Sequence, residues 1–291
     1  MMHGIVNKKK KPGEKMFHEI SPMKLDIAYK KRLPQPDDYV AVTDGKTVLL
    51  RKNGGEIEFP TIKELQGDAE TQYLFAVDET AFFLYKGNED CFGDAAERLN
   101  MYEIRSAKPM WKAYAASLAC RLAAWYKTAV YCGACGAKTV HSDSERAMVC
   151  PVCGNTLYPV VSPSVIVLIR DGNRALLTKY AQRHSTYSRY ALVAGYAESG
   201  ESAEETVRRE VMEEVGLRVK NITYYKSQPW PVSGTLLFGY YCDLDGDDRI
   251  TLDRDELSVA EWVERADMPD RSNDISLTSE MMEMFRTGRL Y

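Results

Sequence analysis

The chain has 291 residues, enough for two domains with cores of their own. Its 45% hydrophobic and 27% charged content reads as a soluble globular protein, and its longest strongly apolar run, residues 165–169, is too short to span a membrane. A net charge of −4 argues against a dedicated nucleic-acid binder, which is usually basic. Residues 1–20 read as a flexible lead; its basic run, Lys8 to Lys11 and then Lys15, is ordinarily a solvated tail. Short apolar runs at 40–42, 48–50, 73–77 and 81–85 predict strands, in a stretch without a catalytic motif. Residues 109–128, rich in alanine and leucine, predict a helix. Strands at 165–170 and 175–180 flank Asp171-Gly172-Asn173, a hairpin signal. Further strands are expected at 190–194, 236–242 and 259–263, and a helix at 277–286. There is no internal repeat or low-complexity segment.

Cysteines punctuate the middle of the chain. Cys132 and Cys135 form one pair, Cys150 and Cys153 another, with fourteen residues between the pairs. This is the spacing of a ribbon that holds Zn2+ with four thiolates. Glycines after Cys135 and Cys153 favour tight knuckles whose amides approach sulfur. Two disulfides or a redox pair are the competing readings. Cys91, Cys120 and Cys242 show no pairing pattern and no signal peptide is read, so a reducing cytoplasm and structural zinc are expected. His3, His18, His141 and His184 lack metal-ligand spacing, so no catalytic histidine is assigned.

Residues 195–217 read GYAESGESAEETVRREVMEEVGL. Ser202 and Glu205 have capping-box spacing, and Gly216 stands where a helix would end. Val207, Val211 and Val215 recur every four residues as an apolar stripe. Glu210 and Glu214 are also four apart, with Glu213 beside them, so carboxylates crowd the other side. Such crowding calls for a cation, and hard oxygen ligands suit Mg2+ or Mn2+. A bound metal neutralises a diphosphate and acidifies a coordinated water, whose proton a free glutamate can take. Glu201, Arg209, Glu210, Glu213 and Glu214 are therefore the catalytic candidates; Arg209 is expected to orient the glutamates by ion pairing. The plainer reading is a solvated acidic helix face.

The stretch meets every specified position of the Nudix box, G-x5-E-x7-R-E-U-x-E-E-x-G-U with U aliphatic, and the chain resembles the Nudix hydrolases. The resemblance implies metal ligation by Glu210 and Glu214, with Glu213 close by, and by the carbonyl of Ala194. It also implies a later acidic ligand, best matched by Glu256, whose plain reading is a surface acid at a strand entrance.

Downstream stands Ser227-Gln228-Pro229-Trp230-Pro231, where two prolines around a tryptophan predict a stiff loop and the indole offers a flat surface to a nucleotide ring. On the tryptophan alone, a buried staple is the plainer reading. The segment resembles the signature of the NADH pyrophosphatase and NAD-capped RNA hydrolase subgroup. That signature continues Phe-Pro, a variable residue and Ser, whereas this chain has Val232-Ser233-Gly234-Thr235. The resemblance makes Gln228 to Thr235 candidate dinucleotide contacts, residue by residue: Gln228, Pro229, Trp230, Pro231, Val232, Ser233, Gly234 and Thr235. Tyr158 and Glu145 occupy positions that touch substrate in relatives; their plain readings are a packing tyrosine and a solvated glutamate. Val160 replaces the arginine of the subgroup's Tyr-Pro-Arg-Ile-Ser-Pro, which removes one anion contact.

The implied fold is α/β (α+β): a Nudix α/β/α sandwich, a zinc ribbon, and a degenerate Nudix-like N-terminal domain that supports a homodimer. The expected organisation is a lead at 1–20, an N-terminal domain with linking helix at 21–128, a ribbon at 129–157 and a catalytic domain at 158–291. The implied reaction cleaves NADH or NAD+ into AMP plus NMNH or NMN; removal of NAD caps from RNA uses the same chemistry. Other readings are hydrolysis of ADP-ribose or a diadenosine polyphosphate, a non-catalytic nucleotide sensor, and a zinc-ribbon nucleic-acid adaptor. Retention of all four box glutamates argues against the sensor and the acidic balance against the adaptor.

Overall fold

The computed structural model describes residues 15–65, 70–87, 96–181, 189–272 and 274–289. The basic run Lys8 to Lys11, Cys91, His3 and His184 lie outside them. The chain divides into two compact units, one of Phe17–Val161 with Pro231–Gly234, the other of Ser162–Trp230 and Thr235–Tyr291 with Met1–Met16.

The first unit contains β1 (Leu25–Asp26), β2 (Tyr39–Ala41), β3 (Thr47–Asn53), β4 (Glu56–Glu58), β5 (Thr71–Val77), β6 (Thr80–Tyr85) and β7 (Ala96–Asn100). They form two sheets, ordered β1-β5-β6-β2 and β4-β3-β7. α1 (Met101–Ser106) follows, capped by Asn100, and then α2 (Met110–Thr128), whose alanines pack close. At Gly45 an added Cβ would fall 2.8 Å from the Cβ of Ala124, so a loop glycine admits the helix. The unit ends in the small sheet of the ribbon, β8 (Val140–His141), β9 (Met148–Val149) and β10 (Thr156–Leu157), in the order β10-β9-β8. Phe17 is fully buried here, and Met16 is buried in the second unit, so packed structure begins before residue 20.

The second unit is built on β11 (Ser162–Asp171), β12 (Arg174–Tyr180), β13 (Val193–Tyr196), β14 (Val219–Trp230), β15 (Thr235–Leu244) and β16 (Leu257–Glu264). The strand order is β14-β15-β11-β12-β16, and β13 also pairs with β11. β11 runs parallel to β15 and antiparallel to β13. Alternation along β11 decides what covers each face. Val165, Val167 and Ile169 meet Val207, Val211 and Val215 of α3 (Ala203–Val215). Ile166 and Leu168 meet Leu277, Met281, Met282 and Phe285 of α4 (Leu277–Arg286). The sheet is thus sandwiched between two helices, as the sequence predicts. No helix among the described residues is long and apolar enough to cross a membrane.

Two local expectations are corrected. Ser227 to Trp230 lie inside the twelve-residue β14 rather than in a loop. Pro229 stays in that strand by pairing beside Leu236, exposed and next to a turn, where a missing N–H is tolerated. The strand expected at 190–194 is instead Val193–Tyr196; Ala191 forms only an isolated bridge with Thr178.

Candidate active site and zinc ribbon

α3 begins where its chemistry says it should. The Ser202 side chain accepts from the Glu205 N–H, and the Glu205 carboxylate accepts from the Ser202 N–H. Gly216 ends the helix in the left-handed region, at φ 69°. The valine stripe is fully buried, which turns Arg209 and Glu213 outward and places Glu210 and Glu214 along the boundary between core and solvent.

Arg209 organises the carboxylates. Its Nε and Nη2 donate to the two oxygens of Glu201 at 2.6 and 2.9 Å, its Nη1 to Glu210 at 2.8 Å and Glu213 at 2.9 Å, and its Nη2 to the Tyr196 carbonyl at 2.8 Å. Arg209 thus ion-pairs with three glutamates. Donation from Arg209, with help from the Glu198 N–H, holds the Glu201 carboxyl down at about 2. Thr206, fully buried, adds a hydroxyl at 3.0 Å to the same carboxylate.

Glu214 sits in the opposite electrostatic state. It is 2% exposed, and burial, reinforced by the charges of Glu210 and Glu256, pushes its carboxyl up to about 8. One hydrogen bond, from the Ala194 N–H, favours its charged form; its Oε2 is buried without a partner. Glu210 is raised too, by burial first, against the pull of Arg209. Anionic groups crowded, desolvated and short of donors make a donor set that fits a divalent cation. Glu256 is exposed and acts on both Glu210 and Glu214, which places it in this neighbourhood.

Gly195 is where backbone and carboxylate meet. A Cβ built on it would fall 1.9 Å from Cδ of Glu210, so only glycine lets the β13 backbone approach the carboxylate. Ser164 fixes this strand end by donating to the Gly195 carbonyl at 2.8 Å. Ser164, Thr206 and Asp253, whose charge also raises Glu214, were missed in the sequence. No local signal marks Ser164; only the register that sets it opposite Tyr196 brings it here.

The second motif divides. Gln228 is fully buried, its amide donating to the Ile275 carbonyl at 3.0 Å and accepting from the Leu277 N–H at 2.7 Å. It caps the entry to α4, and its amide is occupied there. Pro229 is exposed and Trp230 partly exposed. In the first unit, Pro231 and Gly234 are buried, Val232 is partly exposed and Ser233 exposed. Thr235 is buried at the start of β15.

In the ribbon, the sulfurs of Cys132, Cys135, Cys150 and Cys153 all lie within 4.8 Å of one another. Among the described residues this is the only set so gathered. One common cluster, rather than two bonded pairs, is the arrangement of a tetrahedral zinc site. The knuckles form as expected: Gly136 and Gly154 lie at φ 74° and 75°, and their N–H groups donate to the Cys132 and Cys150 carbonyls. The Ala134 N–H, with the Asn155 amide, holds the Cys132 thiol down at about 6, and the Cys153 N–H lowers Cys150. Cys135 and Cys153 shift upward although the N–H groups of Ala137 and Asn155 donate to them, because neighbouring sulfurs crowd them. Thiolates that raise one another are a donor set suited to Zn2+. Beyond the metal site, the Tyr158 hydroxyl donates to Glu145 at 3.1 Å, so these two exposed residues are brought together.

Residues 161–283 match the NUDIX domain. Residues 127–158 match the NADH pyrophosphatase zinc ribbon domain. A protein named NAD-capped RNA hydrolase NudC, from Pseudomonas syringae pv. tomato, is 39% identical over 171 residues, covering 59% of this chain and 60% of that protein. One of the same name from Photobacterium profundum is 40% identical over 154 residues, covering 53% and 57%. The chain thus spans about 60% of the length of these relatives. A solved NUDIX hydrolase from Nitrosomonas europaea aligns with 55% of this chain and 91% of its own, at 19% identity and a TM-score of 0.47.

Proposed function

We propose that this protein hydrolyses the diphosphate of NADH or NAD+ to AMP plus NMNH or NMN, with Mg2+ or Mn2+, and removes NAD caps from RNA 5′ ends. The observation that carries the reading is the buried, donor-poor Glu214 beside Glu210, set against Gly195 in a complete box. The ribbon and the relatives' names support the choice of substrate. Glu210 and Glu214, with the Ala194 carbonyl and Glu256, would hold the divalent cation. When bound, it supplies charge neutralisation on the diphosphate and acidifies water.

The protein's own groups do the rest. Water adds to phosphorus, the bridging P–O bond breaks, and the phosphate of the leaving mononucleotide takes the bridging oxygen. Glu213 spends Oε2 on Arg209, and its other oxygen would accept the water's proton. Arg209 keeps the carboxylates in register and neutralises part of their repulsion. Trp230, Val232, Ser233, Tyr158 and Glu145 are the proposed dinucleotide contacts. Cys132, Cys135, Cys150 and Cys153 would hold Zn2+ with four thiolates, which would stabilise the ribbon rather than supply chemistry. We place the protein in the reducing cytoplasm, where such thiols persist, and as a homodimer by its resemblance.

Gly195→Ala tests the geometry. Moving the Glu210 carboxylate by about 1 Å is expected to lower turnover by about 10²-fold. Zinc content and melting temperature should stay near wild type; full activity in the variant would show that the close approach at Gly195 has no catalytic consequence.

Product analysis by mass spectrometry after incubation with NADH and Mg2+ or Mn2+ tests the function itself. AMP plus NMNH is the expected result, and intact NADH overturns it. The altered tail at Val232 and Ser233 favours one second reading, a diphosphatase of ADP-ribose or a diadenosine polyphosphate, and a panel of those compounds would then identify the substrate.

A further inference from the structure

The first unit holds a cavity of about 660 Å³, a volume within the roughly 300–1,000 Å³ of small-molecule sites. Every residue that lines it belongs to Phe17–Val161, and none is among the site candidates read from the sequence. Three elements meet there: the end of β6, the last turns of α2, and the ribbon strands β8 and β9. The buried part of the lining is apolar and aromatic, with Leu84, Ala123, Tyr126 and Met148. The rings of Tyr126 and His141 stand 5.3 Å apart, tilted by 52°, so two flat groups face the same space. The exposed part is charged, with Lys86, Lys127 and Lys138 against Asp44 and Glu70.

The charges do not cancel by pairing. Asp44 is occupied by its own loop, accepting from the N–H groups of Lys46 and Thr47 at 2.8 and 2.7 Å and from the Thr47 hydroxyl at 3.1 Å. Lys86 donates to Glu70 at 2.6 Å and holds it below the ordinary carboxylate range, with smaller help from the charges of His141 and Lys138. The ammonium groups of Lys127 and Lys138 make no hydrogen bond or ion pair among the described residues. Both acids therefore have partners, and two cations remain beside an apolar, aromatic recess. A phosphorylated nucleoside has the complementary layout, a flat base at one end and an anion at the other. Aromatic rings stack on bases, and ammonium groups form charge-assisted bonds to phosphate. We infer that this cavity binds a nucleoside monophosphate, with the base against Tyr126 and Met148 and the phosphate at Lys127 and Lys138.

The test is a chemical-shift titration of the full-length, zinc-loaded protein carrying methyl-13C methionine. The Met148 methyl resonance, assigned with Met148→Leu, reports on the cavity. The probes are AMP, adenosine and inorganic phosphate. AMP is expected to shift the Met148 signal saturably. Adenosine and inorganic phosphate should each bind at least about tenfold more weakly, because each lacks half of the match. The Kd for AMP should rise about tenfold or more in the double variant Lys127→Gln, Lys138→Gln, which removes both cations. It should rise comparably in Val130→Trp, which fills the cavity without touching its charge. An unmoved Met148 signal overturns the inference, as does wild-type affinity for AMP in either variant at an unchanged melting temperature. Inorganic phosphate binding as tightly as AMP also overturns it, since the recess would then hold no base. The readout involves no turnover, so it stands or falls separately from NADH cleavage.

Discussion

Glu214→Gln is expected to lower NADH cleavage on the order of 10³-fold while the protein stays folded. The substitution preserves shape and removes the charge that the donor-poor pocket offers a cation. Near-normal turnover in a folded variant would sink the assignment. A stability signature accompanies it. The Glu214 carboxyl is raised from 4.5 to about 8, chiefly by burial. A raised folded-state value means that stability from this group is fully present below pH 4.5 and lost as pH rises toward 8. Protein dialysed free of Mg2+ and Mn2+ should therefore melt at lower temperature at pH 8 than at pH 5. The glutamine variant should show a smaller drop, because its side chain is neutral throughout. Added Mg2+ or Mn2+ should restore the wild type at pH 8 and leave the variant little changed. Thermal melts across that pH range, with and without cation, check each arm.

Cys150→Ser is expected to have the largest effect on stability. The ribbon sheet has three strands of two residues each, too little core to stand without a cross-link. Zinc binding free energy is therefore folding free energy for this segment. Loss of one buried thiolate should release the metal and lower the melting temperature by about 10 °C or more. Elemental analysis and a thermal melt on the same sample check it. A zinc-free variant as stable as wild type would refute a structural role for the metal.

The parts legible in the sequence were those whose physics is local. The helix Ala203–Val215 follows from a capping box, a period-four valine stripe and a terminal glycine, all within sixteen residues. The cysteine spacing likewise foretold a common sulfur cluster. The strand Val219–Trp230 was not read, because it carries two tyrosines, two lysines and a proline in place of clean alternation and is held by its partner Thr235–Leu244. The fate of Gln228 was illegible for the same reason. Its occupancy by Ile275 and Leu277, forty-seven and forty-nine residues away, is a product of tertiary packing. Glu210's need for a bare glycine at 195 was visible only as a motif; the 1.9 Å approach gives the reason.

The side chain of Arg209 has five N–H groups, and five hydrogen bonds leave it for four different residues. Nothing remains to be donated outward. A lysine offers three donors from a single point and cannot span the same acceptors. Saturation mutagenesis at this codon, scored by survival of function, should therefore return arginine alone, even though the residue need never touch the molecule being cleaved. Neighbouring surface positions such as Arg208 should accept many replacements, so a directed-evolution library loses little by holding position 209 fixed and spending its diversity elsewhere.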